Sequence, residues 1–213
     1  MNTPHHATHS SRLADNLFKG RLVRLAAADT KLMGQLFPRW GRNSEFKRML
    51  DASPAYLYSE KATREWFERE QDKPEPDYFL FLIRTLEDNK VIGDIGLENP
   101  DQHGDAFVGI GIGDPAYWSR GYGTDAMQII MRYAFQELNL HRMSLDVFEY
   151  NPRAIRSYEK AGFQIEGRYR QFLNREGRRW DMIFMGITRQ EWLTRQEWLA
   201  HQAQNIRETD RAD

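Results

Sequence analysis

The densest concentration of chemically suggestive residues is Val108-Gly-Ile-Gly-Ile-Gly-Asp-Pro-Ala-Tyr-Trp-Ser-Arg-Gly-Tyr-Gly-Thr124. Within it, Ser119, Arg120, Gly121, Tyr122, Gly123 and Thr124 stand where a helix begins. Glycines there let main-chain N–H groups approach an anion closely, and a helix N-terminus adds about half a positive charge. Together they describe a cradle for a diphosphate, with Arg120 adding a full charge. A plain glycine-rich turn fits the same residues. The other phosphate motifs fail. No Gly-Lys-Ser/Thr is present for a P-loop. Gly111-Ile-Gly-Asp-Pro-Ala116 contains Pro115 and runs into Tyr117-Trp118 where a dinucleotide fold needs a helix start. A Gly-x-Ser-x-Gly elbow and a His-Glu-x-x-His zinc pair are also missing, and no metal is implied.

Upstream of the cradle, Gly109, Gly111 and Gly113 alternate along a strand, leaving one face almost without side chains. That face suits either a flat ligand or tight packing. Downstream, Asn151-Pro-Arg-Ala-Ile-Arg-Ser-Tyr-Glu-Lys-Ala-Gly162 has an N-cap, a proline at the first helical position and a glycine stop. Ala154, Ile155, Tyr158 and Ala161 share its inner face. Tyr158 is then a core aromatic or a phenol aimed at a site, and the helix pattern alone favours the core.

The elements that must position these residues follow from periodicity. Strands are expected at Arg21–Leu25, Asp77–Thr85, Lys90–Glu98, Ala106–Gly113, His141–Phe148, Phe163–Phe172 and Arg179–Ile187, the last two a hairpin around Glu176-Gly177. Short helices fill residues 28–71, broken at Pro38, Gly41 and Pro54. The row Ala126, Ile130, Ala134, Leu138 marks the helix after the cradle. The fold class is therefore α/β (α+β): one domain over 18–188, between an expected disordered tail at 1–17 and a C-terminal helix and tail at 189–213. Thr188-Arg-Gln-Glu191 is a capping box for that helix. Trp192, Leu193, Gln196 and Leu199 form one face, for packing on the domain or for a homodimer contact. The tail's His5, His6 and His9 suggest at most stray metal binding.

Composition excludes other classes. Thirty Lys and Arg against 31 Asp and Glu give a net charge of −1, so no global field favours nucleic acid or an anionic membrane. The absence of cysteine removes disulfides, thiolate metal sites and a thiol nucleophile. Tyr78–Ile83 is far shorter than the roughly 18 apolar residues of a membrane span, and the N-terminus lacks a signal pattern. A cytoplasmic location is expected.

The cradle and the Asn151 segment, taken in order with a strand between, resemble the GNAT superfamily of N-acetyltransferases over about residues 20–188. Trp118 stands where the family pattern Gln/Arg-x-x-Gly-x-Gly/Ala has Gln or Arg. Trp118, the segment through Gly162-Phe163, Glu166-Gly167 and Arg179-Trp-Asp181 are similar to the branch that acetylates ribosomal-protein N-termini (RimJ/RimL-like) and to its spermidine-acetylating cousins.

The resemblance implies a central sheet of about seven strands, splayed in the middle to admit acetyl-CoA. The diphosphate would rest on the amides of Ser119 to Thr124. The pantetheine would pair with Ile110, Gly111 and Ile112, and Asn151 would border the other side. A main-chain N–H near Ile112 would hold the oxyanion, and Tyr158 would protonate the departing thiolate. An alkyl amine has a pKa near 10, so a base is needed. Asp94 and Glu98 share one strand face by period two and are the residues of choice, with Asp146 on a late strand a further candidate. Each also reads as an ordinary surface carboxylate. Arg39, Trp40, Arg42, Tyr56 and Tyr58, with the hairpin near 174–179, would line an aromatic, weakly acidic acceptor groove. Such a groove would prefer a peptide N-terminus or small amino compound over a polyamine or aminoglycoside. Two other classes remain: a non-catalytic acyl-CoA sensor on the same fold, and an interaction protein in which the terminal helix dominates.

Overall fold

Alternating apolar residues and short turns build a sheet first. In a computed structural model of the chain, which describes residues 17–71, 78–98 and 100–209, seven strands form one sheet. They are β1 (Val23–Ala27), β2 (Tyr78–Thr85), β3 (Val91–Glu98), β4 (Asp105–Ile112), β5 (Arg142–Phe148), β6 (Gln164–Arg175) and β7 (Arg178–Thr188). Their order is β1-β2-β3-β4-β5-β7-β6. All neighbours are antiparallel except β4 and β5. The sequence expectation of a mixed seven-strand sheet is met. The expected tail, with its histidines, lies almost wholly outside the described residues, as does the expected strand start at Asp77.

The parallel pair governs the architecture. β4 and β5 are in register only from Asp105↔Arg142 to Phe107↔Ser144. Beyond that they diverge, and the second half of β4 has no neighbour on that side. The β6–β7 hairpin turns on Glu176 and Gly177, with φ of 56° and 71°. Two successive left-handed residues match the twist of the flanking strands.

Helices cover both faces of the sheet. One face carries α1 (Thr30–Gly41), α2 (Ser44–Leu50) and α3 (Glu60–Gln71), over a core of Met33, Trp40, Phe46, Phe67, Leu82 and Val91. The other carries α4 (Tyr122–Arg132), whose Ala126, Met127, Ile130 and Met131 enter the larger core with Ile95, Leu97 and Val108. A π-helical turn, Tyr133–Glu137, extends α4 and buries Ala134 and Phe135. α5 (Pro152–Ala161) flanks α4, and α6 (Arg189–Thr209) follows β7.

α6 opens with the expected capping box. Thr188 N–H donates to Glu191 Oε2 at 2.8 Å, and Glu191 N–H donates to Thr188 Oγ1 at 3.3 Å. The expected packed face is shorter than the pattern suggests. Trp192 is buried against Phe135 at 5.4 Å between ring centroids, but Leu193 and Leu199 are exposed. Beyond Trp192 the helix meets the domain through Arg195, which donates to Lys160 O at 2.6 Å, and its leucines face away. Among the described residues no helix is long and apolar enough to cross a membrane.

Candidate active site

The splay opens a cleft of about 800 Å³ between β4 and β5, closed at its ends by α2, α4 and α5. Period two orients its main-chain groups. Gly113 N–H donates to Ile92 O at 2.9 Å across to β3. Alternation then turns the N–H groups of Ile110 and Ile112 the other way, into the gap. These are free donors for an extended ligand. The carbonyl of Ile112 is not free, because Trp118 Nε1 donates to it at 2.6 Å. The departure from the family pattern at Trp118 therefore has a physical role. Its indole closes the end of β4, and the Arg153 guanidinium stacks on it at 3.9 Å.

The cradle has the backbone that its composition suggests. Ser119 and Gly121 are left-handed, with φ of 58° and 88°, making a concave run of N–H groups suited to an anion. Gly121 caps α4 without a side-chain hydrogen bond, and the helix ladder starts with Asp125 N–H to Gly121 O at 2.9 Å. The N–H groups of Tyr122, Gly123 and Thr124 precede that first bond and have no partner within the helix. Ser119, Gly121, Gly123 and Thr124 all line the cleft. Tyr122 and Arg120 do not line it with their side chains. The Tyr122 ring is buried in the core. Arg120 donates to Ala116 O at 3.2 Å and lies over the Tyr122 ring, so the expected charge from Arg120 is turned away.

Charge comes from α5 instead. Arg153, Arg156 and Lys160 line the cleft with Arg21. On α5 they recur at i, i+3 and i+7, a one-face spacing present in the sequence but indistinguishable there from a solvated face. Asn151 is buried at the head of α5, where its Oδ1 accepts from Ala154 N–H at 3.2 Å, and it also lines the cleft. Thr124 and Ser157 share a hydrogen bond of 2.7 Å that ties α4 to α5.

Tyr158 reaches the cleft from α5 while its ring packs against the core, so both readings of this residue hold together. Burial, and then the Asp146 carboxylate, push its phenol up to about 12. It is held as an acid.

The opposite end of the cleft is acidic. Glu98 and Asp146 line it. Burial raises both carboxyls above their ordinary range, and Asp146 raises Glu98 further. The glycine face of β4 faces them. A Cβ at Gly109 would lie 3.3 Å from Glu98 Oε1, and one at Gly111 would lie 3.3 Å from Asp94 Oδ1. Gly113 is fixed by Trp40, whose indole occupies the place of a Cβ. The glycines thus make room for neighbouring side chains as well as for main-chain approach.

Two sequence expectations are corrected here. Asp94 is buried and does not line the cleft, which Phe46 and Leu50 of α2 and Gly111 line instead. The residues expected for an aromatic groove do not come together on the cleft. Trp40 is buried beneath Gly113, Tyr56 and Tyr58 project outward, and Phe46, Met49 and Leu50 line the cleft. Their i, i+3, i+4 spacing on a seven-residue helix is too short to read as a face. The hairpin tip does meet this region. Arg175 donates to the carbonyls of Arg48, Asp51, Ala52 and Ser53 at the end of α2.

A splayed mixed sheet, free strand amides leading to an anion cradle and a buried phenol at the fork define a class of acyl-CoA-dependent transferases. The acetyltransferase (GNAT) domain family matches residues 21–164, more than half of the chain, and the chain belongs to that family. It resembles the SPbeta prophage-derived uncharacterized N-acetyltransferase YokL of Bacillus subtilis, with 31% identity over 130 residues, 61% of this chain and 71% of the relative. It also resembles the probable N-acetyltransferase YjcK of the same organism, with 34% identity over 113 residues, 52% of this chain and 62% of the relative. In fold it matches a spermidine N-acetyltransferase of Vibrio cholerae solved with CoA and spermine. The TM-score is 0.71 at 23% identity, covering 80% of this chain and 98% of that one. A GNAT acetyltransferase of Bacillus anthracis matches with a TM-score of 0.68 at 20% identity, over 81% and 98%. The chain is an N-acetyltransferase that uses acetyl-CoA as co-substrate.

Proposed function

We propose that this cleft binds acetyl-CoA with its diphosphate on the amides of Ser119 to Thr124 and its pantetheine along Ile110 to Ile112, and that a primary amine attacks the thioester directly. The observation that carries this reading is the row of unpartnered amides that turns from β4 into the left-handed start of α4. The cleft is electrically divided, with Arg153, Arg156 and Lys160 toward the cofactor and Glu98 and Asp146 toward the acceptor. Holding both reactants together supplies much of the rate. The N–H of Ile112 or Ile110 holds the developing oxyanion. Glu98 takes the amine's proton, and Tyr158 protonates the departing thiolate.

The transferase unit is residues 18–188, with α6 appended. The acceptors of first choice are peptide N-termini, as in the RimJ/RimL-like branch, and small amino compounds. The acidic acceptor end gives a polyamine more support than the expected aromatic groove did. The exposed part of α6 is our choice for a homodimer contact, and the cytoplasm, where acetyl-CoA is consumed, is our choice of location.

Calorimetry with CoA and thiol release from acetyl-CoA with peptides, polyamines and aminoglycosides test the reading. CoA is expected to bind, and at least one amine to release thiol. Tyr158→Phe is expected to keep CoA affinity and to lose turnover by roughly 100-fold, within the range for general acid catalysis. Absence of CoA binding by the folded chain, or unchanged turnover in the variant, refutes the corresponding part.

A further inference from the structure

The acidic end of the cleft continues onto open sheet. Cross-strand partners share a face. Asp146 of β5 stands opposite Phe184 of β7, and Phe184 stands opposite Gly167 of β6. These three residues make one row across the strands. The row lies on the same face as Phe107 and the glycines of β4, because Phe107 is paired with Ser144, two residues before Asp146. A Cβ at Gly167 would meet nothing within 4 Å, so the outer end of the row is open above.

Side chains rise on both sides of this row. On one side Arg142 pairs with Glu166, and the pair occupies the place where Gly186 lacks a Cβ. On the other, Tyr169 meets Phe184 edge to face at 5.6 Å and stacks on Phe172 at 5.9 Å, with 8° between the ring planes. Tyr169 is 61% exposed and Phe172 44%. An exposed aromatic cluster beside a cleft marks an interaction site. A bulge puts it there. Tyr169 is paired with Met182 and Leu173 with Trp180, so Arg170, Gln171 and Phe172 stand against Asp181 alone. Gln171 is left-handed, with φ of 55°, which is costly for a residue with a side chain. The Asp181 carboxylate holds it, accepting the Gln171 N–H at 2.8 Å. Bulges re-aim side chains, and this one sets Phe172 beside Tyr169. It also interrupts the free edge of β6, which disfavours strand pairing with a second copy.

We propose that this groove is an acceptor subsite. It takes a peptide extended outward from its reacting α-amine, with an apolar side chain at the third residue resting on Phe184 and Tyr169. This rests on the acetyltransferase reading above and narrows its acceptor. The span fits. Neighbouring strands are about 4.8 Å apart, so the row from Asp146 to Gly167 covers about 10 Å, the reach of three extended residues at about 3.3 Å each. The charge fits as well. Glu98 and Asp146 stand at the inner end, where an ammonium arrives. Farther out the row itself is uncharged, and Arg142 and Glu166 beside it neutralise each other. A peptide N-terminus has the complementary pattern, one cation followed by neutral chain. A polyamine carries further cations outward to where the row offers no carboxylate.

The test uses the full chain with Tyr169→Ala and Gly167→Leu. The first removes the ring from an exposed site, and the second fills open space, so both are expected to melt close to the unsubstituted chain. Thiol release from acetyl-CoA is followed with three probes: a tetrapeptide amide with phenylalanine third, the same peptide with serine third, and glycinamide, which is too short to reach Phe184. The unsubstituted chain is expected to favour the phenylalanine peptide in kcat/KM by roughly tenfold, the effect of half burying one ring. Both variants are expected to erase that preference through KM for the peptide, leaving glycinamide turnover and KM for acetyl-CoA unchanged. No preference in the unsubstituted chain, a preference that survives both variants, or an equal loss with all three probes overturns the subsite and leaves the transferase reading standing. A smaller sedimenting species for Tyr169→Ala than for the unsubstituted chain also overturns it, because the rings would then join two copies. If CoA binds but no amine releases thiol, the acetyltransferase reading fails and the subsite falls with it.

Discussion

At the scale of single residues, the cleft is governed by where a proton can rest. Tyr158 and Asp94 are both shifted by burial, in opposite functional senses. The phenol is kept as an acid far above neutral pH, and the carboxyl is brought to about 7. The Asp94 shift has a thermodynamic sign. Its folded value lies above its unfolded one, so its favourable contribution is complete below about pH 4 and is lost as pH rises toward 7. Melting curves of the unsubstituted chain and Asp94→Asn should therefore diverge between about pH 4 and 7. The natural chain is expected to lose stability over that window and the variant to lose less, by an amount on the order of a few kcal/mol. Parallel curves would show that Asp94 is already charged in the fold. The sequence revealed Tyr158 through its place on the inner face of α5. It did not reveal that Glu98 and Asp146 line one cleft, because that depends on which strands lie side by side.

Elements supply the geometry that residues exploit. The start of α4 depends on Gly121, whose φ of 88° costs an L-residue with a side chain roughly 1–2 kcal/mol. Gly121→Ala should lower Tm and weaken CoA binding together, measured by thermal melting and calorimetry. Gly123→Ala is the control. A Cβ there meets Ile112 Cγ1 at 3.7 Å and Ile110 Cδ1 at 3.8 Å, ordinary contact, so its melting temperature should stay close to that of the unsubstituted chain. If Gly121→Ala binds CoA as well as the natural chain, the left-handed turn is not part of the cradle. The strand order of types, the α4 helix and the capping box of α6 were legible because periodicity and capping are local. α2 was not. Seven residues, Ser44–Leu50, carry too short a period, and their importance comes only from lying over the glycines of β4. The same locality misled the reading of α6, where Trp192 is the one member of the expected apolar face that is buried.

Across the whole molecule, two long-range clasps hold the cleft's rims. On one rim, the Asp125 carboxylate accepts the N–H groups of Arg21, Leu22 and Val23, and Arg132 donates to the carbonyls of Leu17 and Lys19. The chain entering β1 is thereby fastened to α4. On the other, Arg175 at the hairpin tip gathers four carbonyls at the end of α2, a favourable place for a cation, while Arg48 pairs with Glu176. Tyr150 completes this clasp, donating to Arg48 O at 2.6 Å and stacking on Phe148 at 5.2 Å. Removing Arg175 should loosen the acceptor wall and leave the cofactor half intact. Arg175→Ala is expected to raise KM for the amine by several-fold, with little change in KM for acetyl-CoA, read from thiol-release kinetics. Equal changes in both would mean that the clasp serves the fold as a whole.

Among the described residues, the three paired positions between β4 and β5 are the sole strand pairing that joins β1–β4 to β5–β7 within the sheet. In mechanical terms the molecule is two leaves on a short spine. An extended guest lying in the fork would act as a missing strand and lengthen that spine. The empty protein should therefore be most compliant along this line, and occupancy should convert two leaves into one continuous plate.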